Sequence, residues 1–456
     1  MSSKEKLLDE ILTRGVGEFI DPEGAFRKKL EENPKQIKIK FGVDPTRPDL
    51  HLGHAVVLRK LRQFQNFGCK VIFLIGDLTA QIGDPSGKSK IRPEVNQQEV
   101  EENMKTYLEQ VGKTLSTEKE VFSWIRNSDW YVSVTDITTP PNPTLNIESG
   151  GKKIPLQLVT DHILAKAYFW SESRMQKEKI KNYSLLNTLA VLRTVSFSRL
   201  IERDMFQKRI QSGEAVFMNE ILYPVLQGID SNVLADIYGS CDLEVGGTDQ
   251  TFNMLVGRDI MQVNKKEPQA VLAIKLLEGL DGKNKMSKSI DNYVAITDEP
   301  AQMYGKIMSL PDSSIINYFE LCTYTPLEDI KKVEGNLKSG KTNPRDVKMR
   351  LAREIVEIYY GREISERAEG QFVSVFQKRE VPTDIPSIKA KKGAFLGDVL
   401  SEKGLVSSNS EFKRLVDQGG IEMMLSKKLV EDYTQTLEKD DVVRVGKSKF
   451  LKIKVK

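Results

Sequence analysis

Histidine is rare in this sequence, and two of its three copies stand close together. His51 and His54 belong to an HLGH sequence, whereas His162 lies much further along the chain. A spacing of three residues places both imidazoles on one side of a helix's first turn. Because the turn-rich segment DPTRPDL precedes them, the pair is predicted to lie where a strand ends and a helix begins, which favours anion binding. A metal site is the alternative, but no third ligand is apparent.

A second candidate is a loop that carries two lysines and two hydroxyl groups. The KMSKS sequence at residues 285–289 follows the DGKN sequence at residues 281–284, which indicates a mobile loop. Lysines on such a loop can follow a polyphosphate as it moves. A solvated surface loop is the alternative, and the position after a predicted strand favours the functional interpretation.

Two glycine-containing turns also follow predicted strands. The GDPSGK sequence at residues 83–88 ends in Lys88, with Arg92 beyond it, but it lacks the spacing of a Walker A loop. An ordinary surface turn explains it equally well. In the GGTDQ sequence at residues 246–250, the glycines allow a ligand to approach the backbone. Asp249 and Gln250 can then hold a polar edge or an amino group.

Three polar side chains recur with helical spacing in an otherwise apolar stretch. Tyr223, Gln227 and Asp230 would share one face of a helix over residues 217–229. A buried polar face needs partners, and a small polar ligand would supply them. A solvent-facing surface is the alternative, and Pro224 weakens the helix prediction at its first turn.

The elements that must position these residues belong to an α/β protein. Short apolar strands are predicted at residues 37–43, 71–77, 243–246 and 271–277. Val57, Leu61 and Phe64 give the helical period between the first two strands, and Gly68 marks the end of that helix. This pattern predicts a doubly wound parallel sheet, in which ligands bind beyond the carboxyl ends of the strands.

Composition limits the class of protein. The chain has 456 residues, with 39% hydrophobic and 29% charged residues, which favours a soluble protein of two or three domains. Its three cysteines are far apart, which argues against disulfide and cysteine-zinc frameworks. No apolar run reaches the ~20 residues of a membrane-spanning helix, and the N-terminus does not resemble a signal peptide. We therefore expect a cytoplasmic protein.

The remaining segments suggest further domains. Residues 388–456 carry 15 Lys and Arg against 10 Asp and Glu, so a polyanionic partner is expected there, with a solvated lysine-rich surface as the alternative. An insertion is predicted as a loop plus one helix around residues 164–180. The predicted boundaries are a catalytic domain at 1–297 with the insertion at 131–186, a helical domain at 298–380, a linker at 381–392 and a small α+β module at 393–456.

Taken together, these motifs resemble a known family. HLGH and KMSKS are typical of class I aminoacyl-tRNA synthetases. GDPSGK, GGTDQ and the YPVLQGID sequence at residues 223–230 resemble the tyrosyl-tRNA synthetases of bacterial type. The resemblance covers nearly the whole chain except the insertion. The FLGDVL sequence at 395–400 and the segment at 404–420 resemble an S4-like RNA-binding module.

The resemblance implies activation of tyrosine by ATP, with Mg²⁺ accompanying the ATP and no metal site in the protein, and then transfer of tyrosine to tRNA(Tyr) by a homodimer without a membrane partner. The catalytic residues that it implies are Thr46, His51, His54, Lys88, Arg92, Lys285 and Lys288. The tyrosine-binding residues that it implies are Asp84, Asn127, Tyr223, Gln227, Asp230 and Gln250. The ATP-binding residues that it implies are Asp44, Gly53, His54, Gly246, Asp249, Lys285, Met286, Ser287, Lys288 and Ser289.

The sequence departs from the family at Lys40, where many members place a second tyrosine near the substrate phenol. Three other functions would share parts of this pattern. A tryptophanyl enzyme would share the HLGH and KMSKS logic but not the GDPSGK turn or the S4-like tail. A nucleotidyltransferase that makes an adenylylated cofactor would be much shorter. An RNA-binding protein derived from a synthetase should have lost the histidines and lysines that are present here.

Overall fold

The structure is a computed structural model. It describes residues 3–86, 97–131, 144–149, 152–157, 185–374, 385–426, 428–446 and 449–456. The chain divides into two compact units, which are described separately. The first consists of Met1–Glu299 and Lys306–Tyr359, and the second of Pro300–Gly305 and Tyr360–Lys456. Among the described residues, no helix combines the length and the apolarity needed to cross a membrane.

The strands alternate with helices through most of the first unit. The strands of the described residues are β1 (Val16–Ile20), β2 (Lys38–Val43), β3 (Lys70–Ile75), β4 (Phe122–Arg126), β5 (Thr144–Ser149), β6 (Lys152–Gln157), β7 (Leu243–Gly247), β8 (Ala270–Ile274), β9 (Ser387–Ala390), β10 (Ile421–Met423), β11 (Lys428–Leu429), β12 (Asp441–Val445) and β13 (Lys449–Val455).

The helices cover the sheet of the first unit and dominate the segment that follows it. The α-helices of the described residues are α1 (Ser3–Thr13), α2 (Ala25–Glu32), α3 (Leu52–Asn66), α4 (Thr79–Ile82), α5 (Gln97–Met104), α6 (Tyr107–Gly112), α7 (Ser128–Tyr131), α8 (Leu185–Leu192), α9 (Phe197–Ile201), α10 (Asp204–Gln211), α11 (Met218–Tyr238), α12 (Thr251–Val263), α13 (Pro300–Met308), α14 (Ile315–Cys322), α15 (Leu327–Lys338), α16 (Pro344–Tyr360), α17 (Arg362–Phe372), α18 (Leu396–Glu402) and α19 (Asn409–Asp417).

The central sheet has the strand order β1-β8-β7-β2-β3-β4. β8, β7, β2, β3 and β4 run parallel, and β1 joins the edge antiparallel to β8. The order runs outward in two directions from the adjacent pair β7 and β2. This reversal point is where ligands bind in open α/β sheets, and it brings the carboxyl ends of β2 and β7 together.

Burial explains why these sequences form this sheet. Val71, Phe73 and Ile75 on β3 are each fully buried, as expected for a parallel strand covered on both faces. Between β2 and β3, α3 buries Leu61 and Phe64. The predicted strand–helix–strand unit and the parallel α/β class are therefore confirmed.

Other details differ from the sequence predictions. The edge strand β1 and the strand β4 were not predicted. The insertion contains the hairpin of β5 and β6 where a loop was expected, because both segments alternate in a way that the proline and glycine residues obscured. The helix predicted around residues 164–180 lies outside the described residues. The helix α11 runs through Pro224, because apolar burial of Val225, Ile229 and Val233 offsets the lost hydrogen bond.

The second unit contains a small α+β module. Its sheet has the order β11-β10-β12-β13-β9, antiparallel except for the pair β13 and β9. Leu400 of α18 and Phe412 of α19 are fully buried in its core with Val443 and Leu451. The strand β9 lies within the segment predicted as a linker, because Ile388 and Ala390 pack against this core.

Candidate active site

The two histidines lie against each other at the start of α3. His51 directly precedes the helix, and the ring centroids of His51 and His54 are 3.9 Å apart. The amide N–H of His51 donates to Nδ1 of His54 across 3.2 Å. A Cβ at Gly53 would lie 2.9 Å from Cε1 of His51, so glycine lets this ring fold over the helix start. The shared side that the spacing predicts is thus observed.

The KMSKS loop returns beside these histidines. The amide of Leu52 donates to the carbonyl of Val294 across 2.9 Å, and the amide of Ile296 donates to the carbonyl of Leu50 across 3.0 Å. The amide of Met286 donates to the carbonyl of Leu277 across 2.8 Å, and the Met286 side chain is buried. The chain that follows the loop therefore holds the loop next to the start of α3.

The environment keeps both imidazoles neutral near pH 7. Burial and, to a smaller extent, the charges of Lys288 and Lys285 together lower the pKa of His51 to about 3. Burial also holds the pKa of His54 well below its usual value, with His51 and the two lysines adding to the effect. Nδ1 of His51 is buried and has no hydrogen-bond partner among the described residues. A neutral imidazole can donate its ring N–H to a phosphate or ribose oxygen.

The two loop lysines stand in different surroundings. Nζ of Lys285 lies 2.5 Å from Oδ2 of Asp249, and 48% of its side chain is exposed. Burial lowers the pKa of Lys288 to about 8, while Asp49 acts to raise it and Arg47 to lower it. Lys285 therefore lies on the carboxylate after β7, and Lys288 lies close to the turn after β2.

The polar face of α11 meets the carboxyl end of β2. The hydroxyl of Tyr223 donates to Oδ2 of Asp44 across 2.8 Å. Oδ1 of Asp44 accepts a hydrogen bond of 2.8 Å from Thr79. A Cβ at Gly76 would lie 2.1 Å from this Asp44 oxygen, so the glycine after β3 makes room for the carboxylate. Sequence reasoning missed Gly76, although a glycine at a strand end was a usable signal.

Asp230 lies at the buried side of the same helix face. It is 2% exposed, and its Oδ1 accepts a hydrogen bond of 3.1 Å from Nε1 of Trp130. Nδ2 of Asn127 lies 3.4 Å from its Oδ2. Burial raises the pKa of Asp230 to about 7, while Lys40 and the hydrogen bonds act to lower it. Sequence reasoning missed Trp130, although it stands in the same NSDW sequence as Asn127.

A chain of hydrogen bonds through side-chain amides runs from Gln227 to Asp84. Oε1 of Gln227 accepts from Nδ2 of Asn253 across 3.1 Å. Asn253 also donates to Oε1 of Gln250 across 3.0 Å. Nε2 of Gln250 donates to Oδ2 of Asp84 across 2.7 Å. Four side chains from α11, α12 and two turns therefore form one connected polar wall.

Three charged side chains lie beside this wall. Lys40 on β2 is 1% exposed and Glu244 on β7 is 2% exposed, and Nζ of Lys40 is 2.9 Å from Oε1 of Glu244. Arg203 donates to Oγ of Ser86 across 2.7 Å. Burial lowers the pKa of Arg203, while Asp84 and Asp249 act to raise it. Sequence reasoning missed Glu244 and Arg203. A glutamate inside an apolar strand was a signal for the first, and no pattern marked the second.

Of the remaining predicted site residues, the structure describes some and leaves others outside its described residues. Thr46 lies in the turn after β2, Gly246 ends the buried part of β7, and Ser287 donates its amide to Oδ1 of Asn292 across 2.8 Å. Lys88, Arg92 and the side chain of Ser289 lie outside the described residues. In the part of the chain that the structure describes, no three His, Cys, Asp or Glu side chains are grouped to hold a metal ion.

Comparisons with known proteins agree with this geometry. The family model of class I tRNA synthetases for tryptophan and tyrosine matches residues 32–377. A tyrosine–tRNA ligase of Thermotoga maritima is 39% identical, covering 97% of this chain and 96% of that one. A tyrosine–tRNA ligase of Francisella tularensis is 38% identical and covers all of both chains.

Solved structures share the fold. A C-terminally truncated mitochondrial tyrosyl-tRNA synthetase of Aspergillus nidulans matches with a TM-score of 0.57 at 19% identity, covering 81% of this chain and 94% of that one. The Archaeoglobus fulgidus tyrosyl-tRNA synthetase complexed with L-tyrosine matches with a TM-score of 0.52 at 18% identity, covering 80% and 99%. The parallel sheet is thus the class I synthetase fold. The chain belongs to the class I tRNA synthetases for tryptophan and tyrosine and, within them, to the tyrosine–tRNA ligases.

Proposed function

We propose that this protein activates L-tyrosine with ATP, releases pyrophosphate, and transfers the tyrosyl group to the 3′ end of tRNA(Tyr). The observation that carries the proposal is the contact of Tyr223 with Asp44. It joins the polar face of α11, which suits an amino acid, to the end of β2, where the histidine pair begins α3. An amino acid and a nucleotide bound at these two places would meet.

The first step needs no general base. The carboxylate of tyrosine is already ionised at pH 7, so it can attack the α-phosphate of ATP directly. The new bond joins a carboxylate oxygen to the α-phosphorus, and the bond from that phosphorus to the bridging oxygen breaks as pyrophosphate leaves. The protein therefore contributes positioning and stabilisation of negative charge.

The groups at the start of α3 would stabilise that negative charge. Thr46 and His51 would contact the phosphates, while Lys285 and Lys288 would follow the departing pyrophosphate. Lys88 and Arg92 are proposed for the same task. Gly53 and His54 would lie under the nucleotide, and Asp44, Gly246 and Asp249 would line the adenylate with Met286, Ser287 and Ser289. Mg²⁺ would arrive on the triphosphate as part of the substrate.

The pocket of α11 would select the amino acid. Tyr223, Gln227 and Asp84 would bind the ammonium group, with Gln250 and Asn127 supporting the walls. Asp230 would accept the hydrogen of the phenol hydroxyl. A site built to bond a hydroxyl rejects an analogue that lacks it, because the site's polar group is left unpaired, and tyrosyl-tRNA synthetases are themselves the standard example of this rule.

The basic C-terminal module is proposed as an S4-like domain that binds the tRNA. We also propose that the protein acts as a homodimer in the cytoplasm, and that the helical segment at 298–380 takes part in tRNA binding. These proposals rest on the family and on the charge of residues 388–456.

The test uses two assays on one preparation. Tyrosine-dependent exchange of labelled pyrophosphate into ATP reports the first step, and acid-precipitable tyrosine on tRNA reports the second. Activity in both assays is expected with tyrosine. Exchange that depends on tryptophan instead would favour the tryptophanyl enzyme, and RNA binding without exchange would favour the RNA-binding alternative.

A further inference from the structure

The ion pair behind the pocket has every polar atom satisfied. Besides Glu244, Nζ of Lys40 donates to the carbonyl of Gln227 and to Oγ of Ser231, each across 2.8 Å. Oε1 of Glu244 accepts from Nε2 of Gln227 across 3.0 Å. Oε2 accepts from Ser231 across 3.0 Å and from Nε2 of Gln269 across 2.9 Å. A buried pair is tolerated when its geometry is this complete.

The pair also decides which way the Gln227 amide points. A carboxylate accepts hydrogen bonds and donates none, so Glu244 requires Nε2 of Gln227 to face it. Oε1 of Gln227 must then face the opposite side, where Asn253 donates to it. Asp84 fixes the far end of the amide chain in the same way, because its carboxylate accepts from Nε2 of Gln250.

This direction matters for an ammonium group. A carbonyl oxygen accepts two hydrogen bonds, so Oε1 of Gln227 can bind a substrate N–H while it accepts from Asn253. A flipped amide would present N–H groups to the ammonium instead, which is repulsive. The ammonium group of Lys40, 2.9 Å from Oε1 of Glu244, supplies the counter-charge for this buried acceptor.

We propose that the buried pair of Lys40 and Glu244 is a positioning device that orients the Gln227 amide for the ammonium group of the amino acid. This inference rests on the proposed function, since it assigns the ammonium group to Gln227. The pair acts through Gln227 and does not touch the substrate. The pair also gives a role to Lys40, which stands where many family members have a tyrosine. Its charged side chain lies behind the proposed amino acid pocket and has Glu244 as its partner there.

The decisive variant is Glu244→Gln. It keeps the shape of the side chain but replaces the carboxylate, which can only accept hydrogen bonds, with an amide that also donates them. We expect the KM for tyrosine in pyrophosphate exchange to rise about tenfold or more, because a hydrogen bond to a charged group is affected, while kcat changes little. Two competitive inhibitors localise the effect. Inhibition by tyrosinol, which has the ammonium group, should weaken to the same degree, whereas inhibition by 3-(4-hydroxyphenyl)propionate, which lacks it, should not change.

A double variant separates positioning from stability. Lys40→Met alone leaves a buried carboxylate unpaired, so its melting temperature should fall by roughly 10 °C. Lys40→Met with Glu244→Gln should recover most of that loss but keep the weak inhibition by tyrosinol. The matched control is the buried pair of Arg209 and Glu220, 2.7 Å apart at the start of α11. Arg209→Met with Glu220→Gln should leave inhibition by tyrosinol unchanged.

The results separate this inference from the proposed function. Active wild-type protein whose tyrosinol inhibition survives Glu244→Gln would overturn the inference alone. Equal weakening of both inhibitors, or recovery of tyrosinol inhibition together with stability in the double variant, would overturn it as well. Wild-type protein without tyrosine-dependent exchange would overturn the proposed function and this inference with it.

Discussion

Nζ of Lys285 lies 2.5 Å from Oδ2 of Asp249, so the exposed lysine of the KMSKS loop is paired with the carboxylate that follows β7. The same lysine acts on the pKa of His51 at the start of α3. The loop thus spans the two ends of the proposed nucleotide site. Because nearly half of the Lys285 side chain is exposed to water, its attraction to Asp249 is weakened, and a triphosphate can take Lys285 from Asp249.

Replacement of Lys285 should therefore affect the chemical step. Lys285→Ala is expected to lower kcat for tyrosine-dependent exchange by about 100-fold, because a charge that stabilises the departing pyrophosphate is lost. The dissociation constant for tyrosine, measured by equilibrium dialysis, should stay nearly constant. Lys283→Ala, an exposed lysine on the same loop, is the control and should retain activity. Equal losses in the two variants would contradict this role for Lys285.

Removal of the charge on Asp230 should relax selection of the amino acid. Asp230→Asn is expected to reduce the preference for tyrosine over phenylalanine by about 1 to 3 kcal/mol, because the phenol loses its charged acceptor. The ratio of kcat/KM values in pyrophosphate exchange measures this. Asp236→Asn alters a partly exposed carboxylate on the same helix and serves as the control. An unchanged ratio in Asp230→Asn would exclude Asp230 from hydroxyl recognition.

The raised pKa of Asp230 predicts that kcat/KM for tyrosine depends on pH. Burial raises the pKa of Asp230 to about 7, against the opposing effects of Lys40, Asn127, Trp130 and Tyr131. The carboxylate that accepts the phenol hydrogen therefore forms as the pH rises through about 7, and kcat/KM for tyrosine should rise over that range. The stability of the fold changes with pH in the opposite direction. The raised pKa of Asp230 stabilises the folded state at low pH, and this contribution is lost as the pH rises through 7.

The rise in kcat/KM for tyrosine is measured by kinetic assays between about pH 5.5 and about pH 8.5. The histidines are not expected to produce it, since the pKa of His51 lies near 3 and that of His54 lies well below its usual value. Asp230→Asn should remove the transition. A transition that persists unchanged in this variant would assign it to another group.

The C-terminal module should serve the second step. Lys389, Lys452 and Lys454 are exposed, and Lys389 and Lys454 are direct partners on β9 and β13. Like charges side by side are unfavourable unless an anion neutralises them. Replacing all three with alanine should weaken tRNA charging about tenfold or more at moderate salt and reduce its salt dependence, while pyrophosphate exchange should not change. Equal loss in both assays would indicate a structural role.

Truncation at residue 380 is the matched test of the same module. It removes the complete five-stranded sheet, whereas a cut after Lys392 would leave β9 without its partner β13. We expect retained exchange and weakened charging. A truncated protein that loses exchange while its thermal unfolding is unchanged would contradict the assignment.

Much of the site could be predicted from local sequence. Tyr223, Gln227 and Asp230 recur with helical spacing, so the shared face followed from the geometry of a helix alone. His51 and His54 were found because histidine is scarce and a turn precedes them. In both cases the signal lies within a few residues, and the local element decides which side chains meet.

The rest depends on contacts between distant segments. Arg203 reaches Ser86 from a position with no motif around it. Lys40 and Glu244 are single charges inside apolar strands, and their pairing depends on the adjacency of β2 and β7 in the sheet. The hairpin of β5 and β6 was missed because turn residues concealed its alternation. The strand order, which local periodicity does not encode, decides these contacts.

We propose that one site binds the triphosphate of ATP beside a pocket that selects tyrosine by its hydroxyl. Pyrophosphate exchange measured with each of the standard amino acids in turn tests it most directly. We expect strong exchange with tyrosine and very weak exchange with phenylalanine and tryptophan. Absence of exchange with every aromatic amino acid, or equal rates with tyrosine and phenylalanine, would contradict it.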